Sequence, residues 1–300
     1  MSATLEQVDR RVGAAEELLS VTHTMKGLAA VNARQFEQAA ATLDEYEAIV
    51  ERGIQVVLMQ PEFRAAGVPV RSADSDPSTE GDVVDLIVFG SNQGLCGPIN
   101  RHMAHHAATA SSEGAGAKVF AVGARLATEL ELVGIRPDVD VTLPNTVEGI
   151  TPRADELLLR IEQRRRERPD VAVSLVYPRF EGRQRSYRPV TQPLLPFDTG
   201  RLVDIDRRQW ATNQRPMVFG SSASMFAALT RQALFVAVQR TFAQTMASVA
   251  ASRLAAMDSA QRDIEQRLDD LQAERHRLRQ SAITEELLDV VSGFEVLNTS

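Results

Sequence analysis

Apolar and small residues recur near the start of the chain at Val12, Ala15, Leu19, Thr22, Met25, Ala29, Ala33, Phe36, Ala40, Leu43, Glu47, Val50, Ile54 and Val57. Every step is three or four residues, which keeps the series on one face of an α-helix. From Phe36 the steps alternate four and three, the spacing of a coiled-coil seam. Glu47 interrupts that seam with a charge. From Ala14 to Met59 the only glycines are Gly27 and Gly53, and no proline occurs before Pro61.

The far end repeats the pattern at greater length. Between Gly220 and Gly293 there is neither glycine nor proline. A stripe runs through Phe235, Val238, Phe242, Met246, Val249, Arg253, Met257, Ala260, Ile264, Leu268, Leu271, Arg275, Leu278 and Ala282. At 1.5 Å per residue a continuous helix here spans on the order of 100 Å. Uninterrupted periodicity of that length marks a coiled coil, a membrane span or a helical repeat. The interspersed charges exclude the span, and no internal repeat is present. Two such segments, one at each end, predict an antiparallel helix pair.

The middle changes period. Asp82 to Phe89 is a short β-branched run ending at Gly90, and Pro98 to Ala110 is helical. Lys118 to Val122 reads as a second strand, Ala124 to Val133 as a helix, and Val139 to Leu143 as a third strand. Asp155 to Arg168 is helical and Val171 to Tyr177 strand-like. Strands alternating with helices imply an α/β layer on a largely parallel, Rossmann-like sheet. Arg71 to Gly81, rich in Ser, Asp and Pro, reads as a linker. Leu194 to Gly220 returns the chain to the last helix. The expected division is 1–60 for the first coiled-coil helix, 61–219 for the α/β domain and 220–300 for the second helix.

Composition narrows the chemistry. The chain has 300 residues, 44% of them hydrophobic, and a net charge of −7. That excludes wholesale disorder and gives no support to a nucleic-acid partner. The single cysteine, Cys96, excludes an internal disulfide and any zinc site built mainly on thiolates. Met1 to Arg11 carries no apolar signal core, and no stretch is long and apolar enough to span a membrane.

Several constellations invite a catalytic reading. Gly90-Ser91-Asn92-Gln93-Gly94-Leu95-Cys96-Gly97 lies between a strand and a helix, where phosphates bind. Its spacing is neither of the two nucleotide-loop patterns, and no lysine follows; a tight packing turn is the better reading. His102, His105 and His106 place imidazoles near one another without a third ligand type, so they read as a surface cluster. Arg164, Arg165, Arg166 and Arg168, interleaved with Glu162 and Glu167, read as a solvated helix face. No set of residues for acid–base or nucleophilic catalysis stands out, so no catalytic, cofactor or metal residue is assigned. A small α/β nucleotide-binding enzyme with a coiled-coil dimerisation arm, or a coiled-coil adaptor, remains the alternative.

Three segments carry a family resemblance. Thr22-His23-Thr24-Met25-Lys26-Gly27-Leu28-Ala29-Ala30 resembles the N-terminal signature of gamma subunits of F-type ATP synthases. Ser91 to Asn100, SNQGLCGPIN, is similar to that family's S-[DN]-x-G-L-C-G-x-[FI]-N, and contains Gly94, Leu95, Cys96 and Gly97. Arg253 to Asp258 and Arg279 to Leu287 resemble two motifs of its last helix. The order and spacing agree along essentially the whole chain. There are departures: His23 replaces a lysine, Gly27 a bulky apolar residue and Val249 a glutamate. They mark a divergent member, as a second, alternate ion-translocating ATPase would be.

The resemblance implies a non-catalytic central-stalk rotor, without cofactor. Its helix pair would turn inside the hexamer of alpha and beta subunits, and its α/β domain would meet the epsilon subunit and the membrane c-ring. The location implied is the cytoplasmic side of the cell inner membrane, peripheral and without direct insertion. Rotation would couple ion transport to ATP synthesis or hydrolysis. Met25, Lys26, Arg253, Arg279, Gln280 and Thr284 would contact the ring.

Overall fold

A computed structural model describes residues 2–60, 83–111, 117–182, 186–198 and 217–298. The linker read at Arg71 to Gly81 lies outside them. In chain order the elements are α1 (Ser2–Leu58), β1 (Val84–Phe89), α2 (Ile99–Ala110), β2 (Val119–Val122) and α3 (Ala124–Leu132). Then follow β3 (Val139–Val141), α4 (Ile150–Glu167), β4 (Ala172–Glu181), β5 (Ser186–Leu195) and α5 (Ser222–Asn298). The chain divides into two compact units, Met1–Ala29 with Arg253–Ser300, and Ala30–Ser252.

The first unit is an antiparallel pair of helical segments. Val8, Val12 and Ala15 of α1 pack with Leu268 and Leu271 of α5, flanked by Leu19, Ile264 and Leu278. Asp9 faces Arg275 and Arg11 faces Glu274, each at 3.8 Å, while Lys26 meets Asp258 at 2.5 Å. Partner numbers fall along α5 as they rise along α1, which fixes the direction. Exposed pairs of this kind contribute little; the apolar seam carries the pairing.

In the second unit a five-stranded sheet has the order β3-β2-β1-β4-β5. The first four strands are parallel and β5 is antiparallel to β4. Leu86 to Phe89 are all buried, as a parallel strand covered on both faces requires. The core joins the sheet to Phe36 and Ala40 of α1 and to Val238, Phe242 and Met246 of α5. Phe89 and Phe242 meet edge to face, their ring centroids 5.1 Å apart.

β5 is absent from the sequence reading, and β4 continues four residues past Tyr177. The cause is proline. Pro178, Pro189 and Pro193 argue against regular strand, but β5 is an edge strand, where proline is tolerated. Pro178 and Pro189 face each other in the register. α4 begins at Ile150 rather than Asp155, because Pro152 falls in its first turn, where no N–H is needed.

Gly53 faces α5 closely, and a Cβ there would lie 3.3 Å from Leu229. Gly27 meets nothing within 4 Å.

The arginine run needs a correction. Arg165, Arg166 and Arg168 are exposed, but Arg164 turns inward. Its Nε donates to Asp85 Oδ2 at 2.8 Å, and the Lys118 backbone N–H donates to Asp85 Oδ1 at 2.8 Å. Asp85 is fully buried, and its bond to Arg164 raises the arginine's pKa. The ion pair ties α4 to the start of β1. Removing one partner of a buried pair strands the other charge, at a cost of about 3–5 kcal/mol. Arg164→Ala should lower the unfolding free energy of the purified chain by about that much in urea titration. Arg165→Ala should stay within about 0.5 kcal/mol.

Candidate functional site

The glycine-rich turn between β1 and α2 is closed on itself. Asn100 Oδ1 accepts the Ser91 backbone N–H at 2.8 Å, and Asn100 Nδ2 donates to Ser91 Oγ at 2.9 Å. Ser91 Oγ donates to the Gln93 carbonyl at 2.7 Å and lies 3.2 Å from Cys96 Sγ. Asn92 clamps the backbone of Leu143, donating to its carbonyl at 2.6 Å and accepting its N–H at 3.0 Å. A Cβ on Gly90 would lie 2.7 Å from Asn100 Oδ1 and from Leu126 Cβ. Gly123, at φ 120°, approaches the Ser91 carbonyl as closely. The side chains of Ser91, Asn92 and Asn100 bond one another or the protein backbone. The tight packing turn read from the spacing is what forms.

At the surface of this turn Leu95 adopts φ 60° and is 61% exposed, while Cys96 is buried. Gly97 takes φ 62°, and a Cβ on Gly94 would come no nearer than 4.0 Å to Arg125. The turn is fastened to the last helix, since Ser252 Oγ donates to the Cys96 carbonyl at 2.6 Å.

Two of the three histidines secure the edge strand. His102 Nδ1 is 2.8 Å from Tyr187 Oη, and His106 Nε2 is 3.0 Å from Thr191 Oγ1. His105 is exposed. Among the described residues no group of His, Cys, Asp and Glu is arranged to hold a metal ion.

Glu47, the polar break in the first stripe, is paired with Arg240. Arg240 also donates to Tyr177 Oη at 3.2 Å and Gln192 Oε1 at 3.4 Å, and its Nε lies 3.5 Å from Asp44. Burial works against the arginine's charge. Glu47, Tyr177 and Asp44 outweigh it and raise the pKa. The sequence signal for this hub is a charged residue on each helix amid apolar neighbours, Glu47 on α1 and Arg240 on α5.

The residues implied by the family resemblance fall into two groups. Met25 and Lys26 stand on α1, and Arg253 stands on α5 ahead of Asp258 and Gln261, the partners of Lys26. Lys26 Nζ bonds Asp258 and donates to Gln261 Oε1 at 3.1 Å. Arg279, Gln280 and Thr284 are exposed farther along α5, roughly 40 Å away at 1.5 Å per residue. Thr284 Oγ1 donates to the Gln280 carbonyl at 2.9 Å. The coil also exposes apolar residues outside its seam. Leu18, Val21 and Leu28 on α1 are 58%, 56% and 62% exposed. Ile283, Leu287, Val290 and Val291 on α5 are all more than half exposed. Their visible signal in the sequence is an apolar residue off the buried stripe.

The model of the ATP synthase family matches residues 4–297. The chain belongs to that family. An ATP synthase gamma chain from Granulibacter bethesdensis is 26% identical, over 98% of this chain and all of the relative. One from Trichormus variabilis is 27% identical, over 98% of this chain and 99% of the relative. In fold, the chain is similar to one in the Euglena gracilis mitochondrial ATP synthase, OSCP/F1/c-ring, in rotational state 3. The TM-score is 0.64 at 14% identity, covering 99% of this chain and 95% of that one.

The Lys26–Asp258 pair gives the coil an acid sensitivity. The lysine's hydrogen bond and charge hold the Asp258 carboxyl below its ordinary 3.8. A depressed carboxylate stabilises the fold above its unfolded pKa, and the contribution is lost as pH falls through the folded value. Asp258→Asn should therefore destabilise the chain at pH 7, with the difference from the parent shrinking below pH 3.8. Thermal melts across that range check it.

Proposed function

We propose that this chain is the gamma subunit, the central-stalk rotor, of an F-type ATP synthase. The observation that carries the reading is the apolar surface of the coil. A two-stranded coil in water keeps its outer faces polar. Here Leu18, Val21 and Leu28 stand outside the seam in solvent, and Ile283, Leu287, Val290 and Val291 are exposed where α5 runs on past the start of α1. Apolar side chains exposed along a helix pair suit a sleeve of other subunits around it. In this reading the sleeve is the hexamer of alpha and beta subunits.

Met25, Lys26, Arg253, Arg279, Gln280 and Thr284 are the contacts to the ring in this reading. The chain itself performs no chemistry. An asymmetric coil that turns within a ring touches each catalytic subunit differently, and only such differential contacts shift nucleotide affinity from one subunit to the next. The α/β domain between the two long helices is the region offered to the epsilon subunit and the c-ring, on the cytoplasmic side of the cell inner membrane. No helix among the described residues is long and apolar enough to cross that membrane.

The end of α5 tests the reading. Arg279 and Gln280 are exposed, so alanine there should cost the isolated chain well under about 1 kcal/mol. Enclosed by a ring, hydrogen bonds that involve charge become worth roughly 1.5–3 kcal/mol each. The Arg279→Ala, Gln280→Ala double variant should keep its melting temperature. The reconstituted complex should lose ATPase rate, or its coupling to ion transport. Unaltered coupled activity would remove the anchoring role.

A further inference from the structure

Between Thr241 and Ser252 every residue of α5 is buried. Much of this surface is small, with Ala243, Ala247, Ala250 and Ala251 in the run. Helices fix their register by fitting ridges of large side chains into grooves, and an alanine-rich surface offers only shallow ridges. Such a segment moved by one turn would still bury apolar surface.

Four polar residues run along it at intervals of four: Arg240, Gln244, Ser248 and Ser252. Each has a partner in the α/β layer. Arg240 donates to Tyr177 Oη on β4 and Gln192 Oε1 on β5. Gln244 Oε1 accepts the Phe180 backbone N–H at 3.0 Å. Ser248 Oγ donates to the Pro178 carbonyl at 2.8 Å, and Ser252 Oγ to the Cys96 carbonyl at 2.6 Å. The neighbouring hydroxyls differ, for Thr241 and Thr245 bond only within the helix, to the carbonyls of Ala237 and Thr241.

We propose that this ladder is a register lock, a clutch that prevents α5 from slipping along or turning against the sheet when torque passes between them. The use for torque rests on the rotor reading. Apolar replacements could supply equal burial, but burial has no direction. Hydrogen bonds to two backbone carbonyls and one backbone N–H are satisfied together in one axial and rotational setting only. A shift of one turn, about 5.4 Å, presents Arg240, which can only donate, to the Phe180 N–H and breaks the match of donors with acceptors. A single buried polar group that fixes the register of a coiled coil works in the same manner.

The test is a distance measurement on the full chain. Spin labels go on Leu159→Cys of α4 and Arg231→Cys of α5, both exposed. Cys96 is buried and stays in place. Pulsed electron resonance should give one narrow distance for the otherwise unaltered chain. The variant Gln244→Leu, Ser248→Ala, Ser252→Ala should add a second population displaced by about 5 Å, one helical turn. If the triple variant does not fold, Ser248→Ala, Ser252→Ala, which changes little volume, decides the matter by the same readout. A single unchanged distance in the folded variant overturns the lock. ATP-driven ion pumping by a complex carrying the unaltered chain is measured in parallel. Its absence overturns the rotor reading, whereas normal pumping with an unchanged distance overturns the lock alone.

Discussion

Burial of the middle of α5 on every side is the constraint on which the second unit depends. One helix segment closes the core shared by α1, the sheet and the signature turn. Phe242 reaches Phe89 at the end of β1, and Ser252 holds the turn that follows it. Total burial removes the polar face that helices normally keep. Each polar group left there must find a partner inside the protein, since an unpaired one costs about 1–3 kcal/mol. The Arg240 hub and the ladder that follows it answer that demand. Their partners come from β4, β5 and the signature turn, which ties three distant stretches of sequence to one helix.

The first unit obeys a different rule. Its seam is a narrow apolar stripe, its cross-helix ion pairs are exposed, and its outer faces carry apolar residues in water. The pairing alone does not account for those outer residues. A surrounding partner does, and for that reason the rotor reading turns on them rather than on any pocket or catalytic cluster.

Much of the fold was legible in the sequence because helical periodicity is a strong signal over long segments. The seam positions from Val12 to Val57 are all buried or half-buried, and so are those from Phe235 to Ala282. The parallel strands β1 and β2 were legible for a similar reason, as short β-branched runs. The rest was hidden by tertiary context. β5 looked unlike a strand because Pro189 and Pro193 are tolerable only at a sheet edge, and the edge is a property of the assembled sheet. Arg164 looked like its neighbours because only packing against β1 selects it to meet Asp85. In the signature turn, Gly90 and Gly123 leave no room for a Cβ. The internal bonds from Asn92 and Asn100 that close the turn depend on Leu143 and Ser91, which only folding brings near.

The central claim is that this chain turns inside a catalytic hexamer. The most direct measurement attaches a visible probe to the exposed face of the α/β domain, at Leu159→Cys, with the hexamer fixed to a surface. The account predicts that ATP drives sustained rotation of the probe in one direction, and that rotation stops when ATP is removed. A chain that binds the hexamer but stays still while ATP is hydrolysed, or that does not bind it, would contradict the account.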